Sequence, residues 1–447
     1  MSELLQRARE AVELAHRSGA SDVWASVTRD RSVSFSFRDG RMEKVKDATS
    51  RGLSLRIYLR DGGPSQAADG CRYSSHGTTD LEPARLAAFV GEAVAITRAL
   101  QPDPHRTITD PALFEGRADV DLEKLDPAVA AIERDACEAW CEAMDAAAHA
   151  DPRVISAECG VFTGQREVAA ASSNGFVGES AGAYVGYSAQ VTVREEGDRR
   201  PEAADYAYGR FLADLPAPEV VASAALRQAL ARIGSVKGPT ARATMVVDPR
   251  AAVSLLSRAL APATAASIQQ HRSFWAGKQG ARLFGEKLTI VDDPLVPRGL
   301  ASRLFDGEGI AARRLPIIEE GVVRNYYVDT YYGRKTGLAP TTGAPSNRLV
   351  RPGARSQAAL LKEVGSGVFV TSVMGGNSDA TTGDFSFGIR GHLIEGGEIG
   401  APVGEMNVTG NLADLLSRLE LVGDDPFLYS AMRVPTLVLA DVQFSGS

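Results

Sequence analysis

The chain has 447 residues, more than one hydrophobic core usually supports, so two or three domains are expected. Hydrophobic residues at 44%, charged residues at 23% and a net charge of -7 are ordinary for a soluble globular protein. They leave no basic excess to hold a polyanion, which argues against a nucleic-acid partner. No run of 18 apolar residues occurs, so no membrane-spanning helix and no membrane partner is expected, and the cytoplasm is the expected compartment.

The opening "MSELLQRAREAVELAHRSGA" places Leu4, Leu5, Ala8, Val12 and Ala15 at helical spacing and ends at Ser18-Gly19. Its mixed Arg and Glu predict a capped surface helix rather than a signal peptide. "DVWASVTRDRSVSFSF" alternates apolar and polar residues as a strand does, and Asp39-Gly40 turns it into "RMEKVKD". "RGLSLRIYLRDGG" continues that sheet. "DLEPARLAAFVGEAVAITRAL" is helical, with Pro83 in its first turn, and residues 101–119 are a connecting loop.

A second block opens with a helix over 126–150, followed by strands with turns at Thr163-Gly164 and Asn174-Gly175. Its pattern repeats that of residues 22–63, which leaves an internal duplication open. A helix starting near Pro218 and the linker "IGSVKGPT" follow. From Ala241 the chain turns β-rich: "ATMVVD", the apolar helix "VSLLSRALAPATAAS" introduced by Asp248-Pro249 and stopped or kinked by Pro262, then short strands between glycines. The fold class expected is α+β, a mixed α/β N-terminal region of hairpins and helices followed by a β-rich C-terminal domain. The divisions are 1–105, 106–236 and 237–447.

Local chemistry is sparse. Four cysteines in so long a chain are no disulfide framework, and Cys137 and Cys141, four apart on a helix, have no second ligand pair nearby, so packing is expected. The six histidines are scattered, the nearest two 29 residues apart, with no HExxH element. "GDFSFG" has the wrong spacing for a nucleophile elbow; a triad using His271 or His392 would have to assemble in three dimensions. "GGNSDATTGDFSFGIRG" suits either an extended partner chain or turns that satisfy their own backbone. No nucleotide-binding glycine motif is present.

Four phrases resemble the TldD/PmbA family: "FRDGRMEKVKDATSRGLSLRIY", "GLASRLFDGEGIAARRLPIIEEGVVRNYYVDTYYGRKTGLAPTTGAPSN", "VTGN" and "TTGDFSFGIRGHLIEGGEI". The similarity spans nearly the whole chain in order. It implies a mixed α/β front and a β-rich back. It also implies one of two kinds of member: a TldD-like zinc metallopeptidase with H-E-x-x-x-H and a later cysteine ligand, or a PmbA-like (TldE) chain that lacks those ligands and pairs with the first. Such pairs degrade or trim unfolded peptides, including leaders of modified peptides, and the family was earlier described as modulating DNA gyrase.

Counting back from "TIVDDP", the family's ligand helix falls, within one residue, on Leu255 to Pro262. Ser257 then stands for the first ligand, Arg258 for the general base and Pro262 for the second ligand. The cysteine falls near Ser430 to Met432, in "LYSAMRVPTL". No residue is therefore assigned as catalytic or as a metal ligand. Zinc is expected only in a TldD-like partner, with an extended or unfolded peptide as substrate. Arg334, Asn347, Thr382, Asp384 and Phe385, on the family-like loops, are the candidates for peptide or partner contact. The alternatives are a homodimeric binding protein acting alone and a hydrolase with a different site.

Overall fold

The structure, a computed structural model, describes residues 2–60 and 70–446. Ser2 caps helix α1 (Glu3–Arg17), its Oγ accepting from the Leu5 amide at 3.1 Å, and Leu4, Leu5, Ala8, Ala11, Val12 and Ala15 are buried. Strands β1 (Asp22–Arg38) and β2 (Arg41–Leu59) form a long hairpin, closed by Asp39 and Gly40 at φ 47° and 78° as a primed turn requires. The expected continuation through Asp61-Gly62-Gly63 lies outside the described residues. After β3 (Arg72–Thr78) comes α2 (Pro83–Arg98), capped by the Glu82 carboxylate.

The helix expected over 126–150 is two: a single turn α3 (Pro127–Ala130), capped by Asp126, and α4 (Arg134–Ala148). Ala131 already donates to Pro127 and Ala128 in a tightened last turn, after which the chain restarts at Glu133. Strands β4 (Val154–Ser172), β5 (Val177–Val193) and β6 (Glu202–Gly209) and helix α5 (Pro218–Leu230) complete the N-terminal half. One antiparallel sheet ordered β3-β2-β1-β4-β5-β6 joins strands from before and after the 101–119 connector. Helices α1 and α2 cover Val23, Val27, Leu55 and Ile57, while α4 and α5 cover Phe35, Val161, Tyr187 and Val191. All four cysteines are free and buried, and burial pushes the Cys137 and Cys141 thiols up to about 11 and about 12.

Thr163-Gly164 is not a turn. Strand β4 runs straight through it, Thr163 pairing with Val33 on one side and Val185 on the other. The glycine serves a neighbour instead, because a Cβ at 164 would lie 2.4 Å from the Tyr184 ring. Gly186 accommodates Phe162 in the same way, so the two glycines mark aromatic rings laid across adjacent strands.

The C-terminal half is β-rich. In chain order it comprises β7 (Val236–Lys237), β8 (Ala241–Val247), α6 (Pro249–Leu260), α7 (Ala265–Gln269), β9 (Ile290–Asp293), β10 (Leu315–Glu319) and β11 (Val322–Val323). Then follow α8 (Thr330–Thr336), β12 (Asn347–Val350), α9 (Gln357–Val364), β13 (Ser366–Ser378), β14 (Asp384–Glu395) and β15 (Glu398–Asn411). The last elements are α10 (Leu412–Ser417), β16 (Leu419–Val422), β17 (Met432–Arg433) and β18 (Leu437–Ser445).

Seven strands order as β16-β18-β8-β13-β14-β15-β7, with an extra β18–β15 pairing, and five as β11-β10-β9-β12-β17. Within the expected linker, Val236 and Lys237 pair with Val403 and Gly404, so that segment is fastened to the second sheet. Trp24 stacks on Phe176 at 4.8 Å and Phe176 meets Phe305 at 5.1 Å, an aromatic contact that fixes the N-terminal sheet against the C-terminal half. The architecture is α+β, mixed in front and β-rich behind.

Gly164→Ala forces apart Tyr184 and the Arg31 carbonyl, which lies 2.5 Å from the added Cβ. The expected loss is about 1–3 kcal/mol, as for overpacking elsewhere, read as a lower midpoint in urea with an unchanged slope. A neutral or stabilising result would restore the turn reading.

Candidate functional site

Strand β8 delivers Asp248 to the start of α6, where its carboxylate accepts from the Arg250 amide at 2.9 Å and Pro249 occupies the first helical position. Burial holds the Asp248 carboxyl above the usual carboxylate range. Ala251, Ala252, Leu255, Leu256, Ala259 and Leu260 pack into the C-terminal core and fix the rotation of the helix. The helix stops at Leu260, as expected from the missing amide of Pro262. Two carbonyls near this end are taken up by a following strap: the Trp275 indole donates to Ala259 at 2.9 Å and the Ser273 hydroxyl to Pro262 at 2.7 Å. Trp275 is fully buried.

Ser257 and Arg258 are half-buried and Pro262 is buried. The Ser257 hydroxyl reaches the Met432 sulfur at 3.5 Å, although 175 residues separate them. Met432 is buried on β17, beside Arg348 of β12. The Arg258 guanidinium lies 4.7 Å from the Phe387 ring centre, and Phe387 stacks on Phe385 at 4.6 Å. Hydroxyl, guanidinium, proline ring and thioether thus meet around the end of α6. This set does not fit zinc, which takes thiolate, imidazole or carboxylate, and a guanidinium repels a dication. Among the described residues no three His, Cys, Asp or Glu side chains are grouped to hold a metal. His392 donates its Nε2 proton to the Ala231 carbonyl at 3.1 Å, and no Ser–His–acid set assembles on it or on His271 among the described residues.

The glycine-rich segment forms the β13–β14 connection and largely satisfies itself. Asp379 accepts from the Thr381 amide at 2.7 Å, Thr382 accepts from the Asp384 amide at 3.1 Å, and the Thr382 hydroxyl donates to Asp384 at 2.9 Å. Asn411 donates to both the Thr382 carbonyl and the Asp384 carboxylate, while its own Oδ1 caps α10. Hydrogen bonds from Asn411 and then Thr382 hold the Asp384 carboxyl below its ordinary value. The strap reaches here too, Phe274 donating its amide to Ala380 at 2.9 Å. Thr382 and Asp384 are exposed beside this network.

The other candidates separate. Arg334 is exposed on α8 and points its guanidinium at the Pro104 carbonyl, 3.4 Å away. Asn347 is an internal strut, with Nδ2 donating to the Asp293 carbonyl and Ser302 and Oδ1 accepting from the Ala301 amide. Phe385 is buried against Phe387. As placed, these two are supports inside the domain and not surface contacts, a correction to the expectation for both. Sequence reasoning had missed Asn411, Trp275 and the part played by Met432. The "VTGN" phrase held a signal for Asn411 alone.

Family models match the chain in three consecutive pieces: PmbA/TldA metallopeptidase domain 1 over 25–97, the central domain over 127–233 and the C-terminal domain over 240–446. The chain is 31% identical to Metalloprotease PmbA of Escherichia coli O157:H7, across 98% of this chain and 94% of that one. A crystal structure of a proposed DNA gyrase modulator from Bacteroides thetaiotaomicron is 34% identical and covers 100% of both chains with a TM-score of 0.94. TldE from Thermococcus kodakarensis, at 19% identity, shares the fold with a TM-score of 0.85 over 98% of this chain and 100% of that one.

Asn411→Ala removes a helix cap and two donors to the loop, with an expected cost of about 1–2 kcal/mol in thermal or urea unfolding. Because Asp384 is depressed in the folded state, its contribution is present above its unfolded pKa and lost as pH falls through the folded one. The variant should move the Asp384 titration upward by NMR; an unmoved titration would remove Asn411 from that role.

Proposed function

This chain belongs to the PmbA/TldD metallopeptidase family, and from that premise we propose that it is a non-catalytic, TldE-like subunit of a zinc peptidase pair. A TldD-like partner supplies the zinc and the hydrolytic chemistry, and this chain completes the cleft for an extended or unfolded peptide, such as the leader of a modified peptide. The observation that carries the reading is the end of α6. Ser257 faces Met432, Arg258 lies over Phe387, and Pro262 is buried with its carbonyl bonded to Ser273, so each position that the family resemblance assigns to metal chemistry is engaged within the domain.

The chemistry of the residues at these positions supports the reading. A guanidinium stays protonated near neutral pH and accepts no proton from water, which excludes Arg258 as a general base. Proline has no side-chain donor for a metal, and a thioether is a poor zinc ligand beside thiolate or imidazole. What this chain offers a peptide is surface and backbone. Strand addition would hold an extended chain through main-chain hydrogen bonds without strong sequence choice. Exposed Thr382, Asp384 and Arg334 are the remaining candidates for contact with peptide or partner.

Purified chain, a TldD-like subunit and their mixture should be compared on a denatured fluorogenic peptide, with size-exclusion chromatography alongside. The expected result is chelator-sensitive cleavage that requires the TldD-like subunit, and a mixed species eluting ahead of either chain. Chelator-sensitive cleavage by this chain alone, or a homodimer indifferent to the TldD-like subunit, would overturn the proposal.

A further inference from the structure

Away from the C-terminal end of α6, a groove lies where the edge strand β6 meets β13 and β14. One cavity of about 220 Å³ is lined by Arg199, Arg200, Arg232, Arg390 and His392. It runs into a second of about 380 Å³ through the shared residues Glu202, Arg232, Thr371 and Arg390. The arginines come from three separate places: the β5–β6 connection, the residues just after α5, and β14.

The charges here are poorly matched. Arg232 spends its guanidinium on the Glu202 backbone carbonyl and the Ser372 hydroxyl, at 3.0 Å for the latter, and takes part in no ion pair among the described residues. Burial, and then the charge of Arg390, lower Arg232 to about 10, so Arg232 stays charged near neutral pH. The Arg390 guanidinium has neither an ion pair nor a hydrogen bond among the described residues, while its carbonyl accepts from the Thr371 hydroxyl at 3.3 Å. Among the described residues the Arg200 guanidinium bonds only to the carbonyls of Gly197 and Arg199. Arg199 is compensated, weakly, by Glu195 at 3.8 Å. The Glu202 carboxylate acts on Arg232 from beyond ion-pair distance and is itself held by Gln190 at 3.2 Å, and Glu405 lines the rim. Nearby Arg250 shows the usual arrangement, forked onto buried Asp205 by two 3.0 Å bonds.

Two half-buried guanidinium groups that share a groove, with no carboxylate in ion-pair range of either among the described residues, repel one another, and an oxyanion with two acceptor oxygens turns that repulsion into attraction. We infer that the Arg232–Arg390 groove binds a carboxylate oxyanion, the C-terminal carboxylate of an extended peptide, with Arg200 adding a third positive charge at the mouth. His392 contributes shape and not charge, because its Nε2 is engaged by the Ala231 carbonyl and burial lowers its pKa. The peptide carrier rests on the peptide-binding reading above, whereas the anion site rests on the arginines alone.

The test uses the full chain and one unstructured fluorescent peptide made with a free C-terminal carboxylate and with a C-terminal amide, with inorganic phosphate as a competitor. The expected result is about tenfold tighter binding of the acid, as a charge-assisted hydrogen bond would give, loss of that preference in Arg390→Gln and in Arg200→Gln, and displacement by phosphate. Arg232→Gln is a weaker probe because Arg232 also supports the fold, so the Arg390 and Arg200 variants carry the result. Equal binding of acid and amide with phosphate still bound would overturn the peptide-end assignment in favour of a free oxyanion. Acid preference that survives both variants would overturn the site. Acid preference in a chain that ignores the TldD-like subunit would leave this site standing and remove the subunit reading.

Discussion

Proline at 262 cannot donate an amide to the turn before it, and the organisation of the C-terminal half follows from how the end of α6 is satisfied. Burying a carbonyl without a partner costs about 1–3 kcal/mol. The strap from Ser273 to Trp275 meets that demand twice, through Ser273 to Pro262 and Trp275 to Ala259. Its middle residue, Phe274, donates its amide to the β13–β14 loop at Ala380. One short segment therefore ties the helix end to the glycine-rich turn. Trp275 and Phe284, whose rings lie 5.3 Å apart, bury the joint from water.

This tie explains why residues far apart in sequence belong to one site. Ser257 and Met432 meet because β17 is laid parallel to β12 against the same core that α6 packs on. Arg258 reaches Phe387 because β14 returns from the loop that the strap holds. On the proposed reading, the helix keeps the packing of a ligand-bearing element with a different chemistry, held in place by burial and hydrogen bonding.

Much of the fold could be read from local pattern. The Asp39-Gly40 turn, the Asp248-Pro249 start of α6 and its stop before Pro262 are each set by backbone chemistry within a few residues. Errors arose where a residue served a distant neighbour. Gly164 looked like a turn former because its real role, leaving room for Tyr184, depends on a strand pairing that local sequence does not show. Asn347 looked like a contact residue because a polar side chain in a loop-rich stretch gives no sign that Asp293, Ala301 and Ser302 will close around it. Ser257, Arg258 and Pro262 were singled out only through the family resemblance, since read alone the helix is an ordinary apolar one. That Met432, and not Ser430, faces Ser257 needed three dimensions. The arginine groove left no local trace, because its members come from three segments.

The central claim is that α6 occupies the place of a zinc-binding helix with its ligands replaced. Zinc affinity, measured by competition with a chromogenic chelator, tests this most directly on the native chain beside a variant combining Ser257→His, Arg258→Glu, Pro262→His and Met432→Cys. The account predicts no stoichiometric zinc on the native chain and a gain of one equivalent in the variant. One tightly bound zinc on the native chain would contradict it.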